Sequence, residues 1–338
     1  MIQEQTLTIG PQGRLVATLT LPQGTAVARG TPTALLTNSG VISRVGPHRI
    51  NVRIARSLAT RGVASIRFDL SGLGDSRRAP GTRPQLVQWA ADTATVMDWA
   101  TQHLGSAAFF MVGLCSGAEV AFRSALADAR LRGVLLWDMY AYPTARSRRR
   151  ALAFRLRRAG PMGIARSLAA RARRLLGMAS PPTDQERQLA VLEPHRRPPI
   201  DQHAAELQSL VDRGTQVLVM FCGGEPVWYN YPGQFHDALA RFPAVVRGVG
   251  CECLMASNHL LTQRASREAF MASLQRWLDG AVLPGLATAP PVPPAADTAG
   301  AAALVAGRPS VNPTPRTAGD AAFTSVPRGL SNAPVRSL

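Results

Sequence analysis

The chain has 338 residues, of which 46% are hydrophobic and 6% aromatic, enough apolar content to bury one sizeable core. No run approaches the roughly 18 consecutive apolar residues of a membrane span, and the start Met1-Ile2-Gln3-Glu4-Gln5 lacks a charged-then-apolar secretion signal, so a cytoplasmic location is expected. The formal charge of +17 comes from 38 basic residues, all of them arginine, against 21 acidic ones. Fourteen arginines between Ala141 and Ile200, against Asp184, Glu186 and Glu193, place +11 of it in that one segment.

In chain order, short alternating or apolar runs over Gln5 to Ile9, Arg14 to Leu21, Ala34 to Thr37 and Val63 to Phe68 predict strands. A helical pattern from Pro47 to Thr60 separates the last two. A helix from Pro84 to His103, a strand Ala107 to Leu114, a helix Ser116 to Ala127 and a strand Arg132 to Trp137 follow. This is the alternation of an α/β fold with a mostly parallel central sheet covered on both faces. It breaks at Tyr140 and resumes near Asp201 with a helix, the strand Gln216 to Cys222, a helix around Gly233 to Arg241, the strand Gly248 to Ala256 and a closing helix Arg264 to Leu278. Residues 141–200 therefore read as an arginine-rich helical lid inserted after the sixth strand of a domain spanning 1–280. Residues 281–338, rich in Ala, Pro, Thr and Gly, lack the apolar periodicity to offset their ordering entropy and are expected to be disordered.

The strand Phe109-Phe110-Met111-Val112 runs into Gly113-Leu114-Cys115-Ser116-Gly117-Ala118 and then a helix, the context of a nucleophile elbow with the spacing G-x-C-x-G. A turn that sharp needs Gly113 and Gly117, because side chains there would clash with the neighbouring strand and helix. The central residue, Cys115, is thereby forced out with its reactive atom exposed. Ser116 lies one position late to be the nucleophile; its amide N–H would help bind an oxyanion at the helix N-terminus, whose partial positive charge also favours a thiolate.

A thiolate needs a base and an orienting acid, expected in the order nucleophile, acid, histidine. Among six histidines, His259 follows the last strand on a loop able to bring an imidazole over the elbow. His103 and His195 sit in helix-end or Pro/Arg contexts, and His203 and His236 read as helix-surface residues. Glu225, at the end of the penultimate strand and 34 residues before His259, is the preferred acid; Asp138, at the end of the strand before that, is the alternative. A second oxyanion donor is expected from Thr37-Asn38-Ser39-Gly40-Val41, with Gly40 letting the backbone turn and the Val41 N–H pointing inward. The stretch Asp69 to Ser76 reads as a tight hydrogen-bonded turn. Cys222, Cys251 and Cys253 lie in apolar strand-like runs and read as buried free thiols. Cys251-Glu252-Cys253 is too tight for a redox or zinc pair, no dinucleotide fingerprint is present, and neither cofactor nor metal is expected.

On the strength of Asn38-Ser39-Gly40, the turn Asp69 to Ser76, the elbow Gly113 to Gly117, Glu225 and His259, residues 30–280 resemble the α/β-hydrolase superfamily in its serine-aminopeptidase-like branch. The segment Asn38 to Asp69, with Arg44 to Arg49 and Ala55-Arg56, together with Gly113 to Ala118, is also similar to hydrolases accompanying exosortase and exopolysaccharide gene clusters. That resemblance implies a cysteine elbow like that of dienelactone hydrolases. The expected activity is cleavage of an ester, thioester or lactone, free or carrier-bound, through an acyl-enzyme; acyl transfer would use the same residues, and a non-enzymatic binding protein on a hydrolase scaffold is the rival.

Within the insertion, Ile164, Leu168, Ala172 and Leu175 fall on one helical face, with Arg166, Arg171, Arg173 and Arg174 over the rest. The plain expectation is a lid packed by its apolar stripe; an anionic membrane surface or an acidic carrier protein is the possible partner. Phe154 without an interleaved aromatic series argues against nucleic acid.

Overall fold

In the computed structural model, the residues described are 2–22, 31–175, 197–223 and 228–288. Strands β1 (Gln3–Ile9) and β2 (Leu15–Leu21) form an antiparallel hairpin whose outer strand is largely exposed. The following strands are β3 (Thr33–Leu36), β4 (Ser65–Phe68), β5 (Phe109–Leu114), β6 (Leu131–Trp137), β7 (Gln216–Cys222) and β8 (Val249–Leu254). They make one eight-stranded sheet in the order β1-β2-β4-β3-β5-β6-β7-β8. Pairing is antiparallel from β1 to β2 and from β2 to β4, and parallel everywhere else. The crossover from β4 back to β3 and out to β5 brings the ends of β3 and β5 side by side, where an open α/β sheet gathers its loops.

Side-chain alternation assigns the two faces. Phe109 and Met111, Val134 and Leu136, and Val217, Val219 and Phe221 enter one core with α2 (Gln85–Leu104), α3 (Ser116–Ala127) and α5 (Ile200–Asp212). Phe110, Val112 and Leu114, Leu135 and Trp137, and Leu218, Met220 and Cys222 enter the other with α1 (Ile50–Ala59) and α8 (Arg264–Trp277). Both faces of the central strands are therefore apolar, the pattern of a covered parallel sheet. The helix expected around Gly233 to Arg241 is the shorter α6 (Gln234–Ala238), and a further short helix, α7 (Pro243–Gly248), opens on Pro243, a residue suited to the first helical position.

Between β6 and α5 lies α4 (Ala145–Leu175), non-helical at Gly160 (φ 63°, ψ 178°). The backbone carrying Ile164, Leu168, Ala172 and Leu175 is helical, but of that stripe's side chains only Ala172, which is exposed, is described. Residues 176–196 of the insertion lie outside the described residues. The expected boundary at 280 needs moving. The chain stays helical through a wide turn, Leu278–Val282, and α9 (Leu283–Thr288), and Leu278 and Val282 are fully buried beside Trp277. These two apolar residues extend the buried face of α8 past residue 280. The rest of the expected tail lies outside the described residues. Among the described residues, no helix is long and apolar enough to cross a membrane.

Candidate active site

The strand-to-helix turn is strained at its central residue. Cys115, between β5 and α3, holds φ 57° and ψ −123°, a conformation that a non-glycine residue keeps only when its surroundings over-determine it. They do so by close approach: a Cβ on Gly113 would overlap the carbonyl of Gly117, and a Cβ on Gly117 would overlap the carbonyl oxygen of Asn38. The amide of Cys115 donates to Trp137 O at 3.0 Å, and that of Ala118 to Cys115 O at 2.9 Å, so both sides of the turn are pinned.

His259 follows β8. Its carbonyl accepts from the indole N–H of buried Trp137 at 2.9 Å, which fixes the loop against the second core. Its ring Nδ1 lies 2.9 Å from Oδ2 of Asp138. Asp138 ends β6 with a positive φ of 52°, accepts the Cys222 amide on Oδ1 at 2.7 Å, and leaves its side chain only 5% exposed. The other side-chain partner of the imidazole is Cys115, so the three groups form a chain from carboxylate to thiol. Hydrogen bonds to Asp138 first and Cys115 second push the His259 pKa up to about 10, against a smaller opposing effect of burial. The imidazolium is the favoured form, flanked by two groups that welcome a positive charge.

The preferred acid of the sequence reading, Glu225, lies outside the described residues. It is the alternative, Asp138, that occupies the histidine. Both are acids just past strand ends, and the signal that separates them is non-local: β6 adjoins β5, the elbow strand, while β7 lies one strand further away.

The loop after β3 is fastened directly to the elbow. Ser39 and Ile42 exchange backbone hydrogen bonds around a turn whose tip is Gly40-Val41. Ser39 Oγ donates to Leu114 O at 3.0 Å, and the Gly40 amide donates to Ser116 Oγ at 2.8 Å. The loop is thus joined to the elbow through the Gly40 amide, and Val41 is 87% exposed at the turn's tip. Gly40 takes the left-handed conformation this two-residue turn requires, at φ 59°. Ser116, the first residue of α3, has its own amide in the helix's first turn, where N–H groups lack an intrahelical acceptor.

Beneath this loop sits Asp69, fully buried at the end of β4. Its Oδ1 accepts from Asn38 Nδ2 at 2.9 Å and from the Arg44 amide at 2.6 Å; its Oδ2 accepts from the Asp75 amide at 3.1 Å and pairs with Arg44 Nη1 at 2.5 Å. Asn38 Oδ1 in turn accepts the Leu70 amide at 2.7 Å. The Asp69 to Ser76 turn therefore supports the loop facing the elbow, a link that local sequence does not reveal.

The remaining thiols are poor nucleophiles. Burial pushes Cys251 up to about 12 and Cys253 up to about 11, and Cys222 is 1% exposed. Asp138, Cys222 and His259 each offer a metal-ligating atom within 4.8 Å of the others. The 2.9 Å separation of His259 Nδ1 and Asp138 is that of a shared proton, which a metal would have to displace. His203, read as a surface residue, is instead 2% exposed, ringed by Phe122, Tyr140 and Tyr142, and held down to about 3 by burial and then by Arg123. Its neighbours Leu207 and Leu210 are also buried, so the apolar stripe of α5 includes it.

No family model matches the sequence, and no curated protein does. Solved structures are similar. A candidate dienelactone hydrolase from Klebsiella pneumoniae aligns over 83% of this chain and 99% of its own, with TM-score 0.50 and 14% identity. An esterase from Pyrococcus furiosus aligns over 82% of this chain and 90% of its own, with TM-score 0.50 and 13% identity. The chain has the α/β-hydrolase fold.

Proposed function

We propose that this α/β-hydrolase scaffold carries a cysteine hydrolase acting on an ester, thioester or lactone, with Cys115 as nucleophile, His259 as base and acid, and Asp138 orienting His259. The observation that carries the reading is the continuous contact from Asp138 through His259 to Cys115 at a strained strand-to-helix turn. An imidazolium beside the sulfur stabilises the thiolate. The thiolate attacks the acyl carbon, and the carbonyl π pair moves onto oxygen, which the Ser116 amide at the N-terminus of α3 and an amide of the β3 loop would stabilise. Collapse of the tetrahedral adduct expels the alcohol or thiol, which takes a proton from His259. Water, deprotonated by His259, then attacks the thioester and frees the acid and the thiol.

The test is covalent. A brief exposure to an acylating or alkylating probe, read by intact mass and peptide mapping, is expected to label Cys115 ahead of the other three cysteines and to slow sharply in His259→Ala. Activity toward an acyl ester is expected to vanish in Cys115→Ala. Equal labelling of all cysteines, or full activity in Cys115→Ala, would overturn the reading. Replacement of water by an alcohol acceptor makes the same residues an acyltransferase, distinguished by whether added alcohol is incorporated into product.

A further inference from the structure

The first half of α4 is exposed on nearly every side and strongly cationic. From Ala145 to Gly160 it carries seven arginines and no acidic residue. Its root is firmly held. Ser147 and Thr144 cap each other by reciprocal backbone-to-hydroxyl hydrogen bonds of 2.8 and 3.0 Å, Asn230 Nδ2 donates to Ser147 O at 3.0 Å, and Arg146 lies over the Tyr231 ring. Beyond the root, Arg148, Arg149, Arg150, Arg155, Arg157 and Arg158 are all exposed, and none forms an ion pair with a described residue.

Large apolar side chains are exposed among these charges: Leu152 at 57%, Leu156 at 43%, Phe154 at 37% and, just past the break at Gly160, Met162 at 71%. Leu152 and Leu156 are four residues apart and share a helix face with Ala145 and Ala159, flanked by Arg148, Arg149 and Arg155. Beside this stripe is a cleft of about 210 Å³ lined by Pro143, Ser147, Arg148, Ala151, Leu152 and Arg155, with both guanidinium-bearing residues on its wall.

We infer that this half of α4 is a docking surface for an anionic phospholipid membrane. Arginines flanking an apolar stripe can sink leucines below the headgroups while their own long stems reach back to the phosphates. The cleft lined by Arg148 and Arg155 suits a headgroup phosphate, since a guanidinium fork pairs with phosphate oxygens. The exposed apolar residues select the lipid over an acidic protein. Leu152, Phe154, Leu156 and Met162 standing among arginines with no acid between them suit a layer that offers apolar depth directly beneath anionic headgroups.

The test reads binding and not catalysis, so it stands apart from the proposed activity. The full chain is sedimented with vesicles of phosphatidylcholine alone, or with about one third phosphatidylglycerol, at low and at high salt. Binding is expected to the anionic vesicles only, and to be lost at high salt. Leu152→Asp/Leu156→Asp and Arg148→Gln/Arg149→Gln/Arg155→Gln are each expected to weaken it about tenfold or more. Unchanged thermal midpoint and Cys115 labelling in these variants serve as the folding control. Failure to bind anionic vesicles, equal binding to neutral ones, undiminished binding by both variants, or selective binding of an acidic carrier protein in place of vesicles would overturn the inference.

Discussion

Asp138 and His259 lie 121 positions apart in the chain, yet Oδ2 of one and Nδ1 of the other are 2.9 Å apart. The bond fixes which ring nitrogen faces the thiol. Replacing Asp138 by Asn offers the ring a donor in place of an acceptor and favours the wrong tautomer. Asp138→Asn is therefore expected to lower kcat/KM on an activated acyl ester by about a thousandfold or more, with Glu225→Gln costing less than about threefold. The reverse ranking would return the role to Glu225.

The same bond makes stability depend on alkaline pH. His259 is held in its charged form, with its pKa pushed up to about 10, so its favourable interactions are fully present below the ordinary histidine value of about 6.5 and are lost as the pH rises through about 10. Thermal melts from neutral pH to about pH 10 are expected to show a larger fall in midpoint for the native chain than for His259→Gln. Parallel falls in the two proteins would exclude this linkage.

Two glycines near the elbow should behave oppositely on substitution. Gly117 abuts the Asn38 carbonyl, so Gly117→Ala must push α3 away from the β3 loop and is expected to cost about 3 kcal/mol or more. Gly40 has open space around its missing side chain, so Gly40→Ala should cost only the about 1 kcal/mol of a left-handed backbone at φ 59°. Denaturant titrations of the two variants check the difference.

Asp69 is a positioning residue. Asp69→Ala leaves Asn38 Nδ2 and the Arg44 and Asp75 amides without their buried acceptor and is expected to destabilise the fold by about 2 to 4 kcal/mol. If the loop it supports holds the developing oxyanion, kcat should fall more than KM rises. An unchanged kcat in a folded Asp69→Ala protein would detach the loop from the chemistry.

The elbow was legible in the sequence because its constraints are local: two glycines, a strand and a helix within ten residues determine where Cys115 points. The sheet's faces were legible because buried parallel strands are continuous apolar runs. Asp138 ranked second because acids past two different strand ends look alike until the strand order is known. The fastening of the β3 loop to the elbow through Ser39 and Gly40 is a contact between distant segments, which composition does not encode. His203 was misread for a different reason: its stripe with Leu207 and Leu210 was present in the sequence, but histidine alone gave no sign of joining it.

The two ends of the arginine-rich insertion are tied to each other across its neck, Tyr142 Oη donating to Pro198 O at 2.8 Å and Arg197 Nη1 to Ala141 O at 2.8 Å. A segment closed off at its base adds little strain to its host whatever its length, since the entropy of a loop changes only slowly with the number of residues in it. The insertion is in that sense a portable cassette. Exchanging the segment for one of another length would leave Cys115, His259 and Asp138 in place, since none of them lies within it.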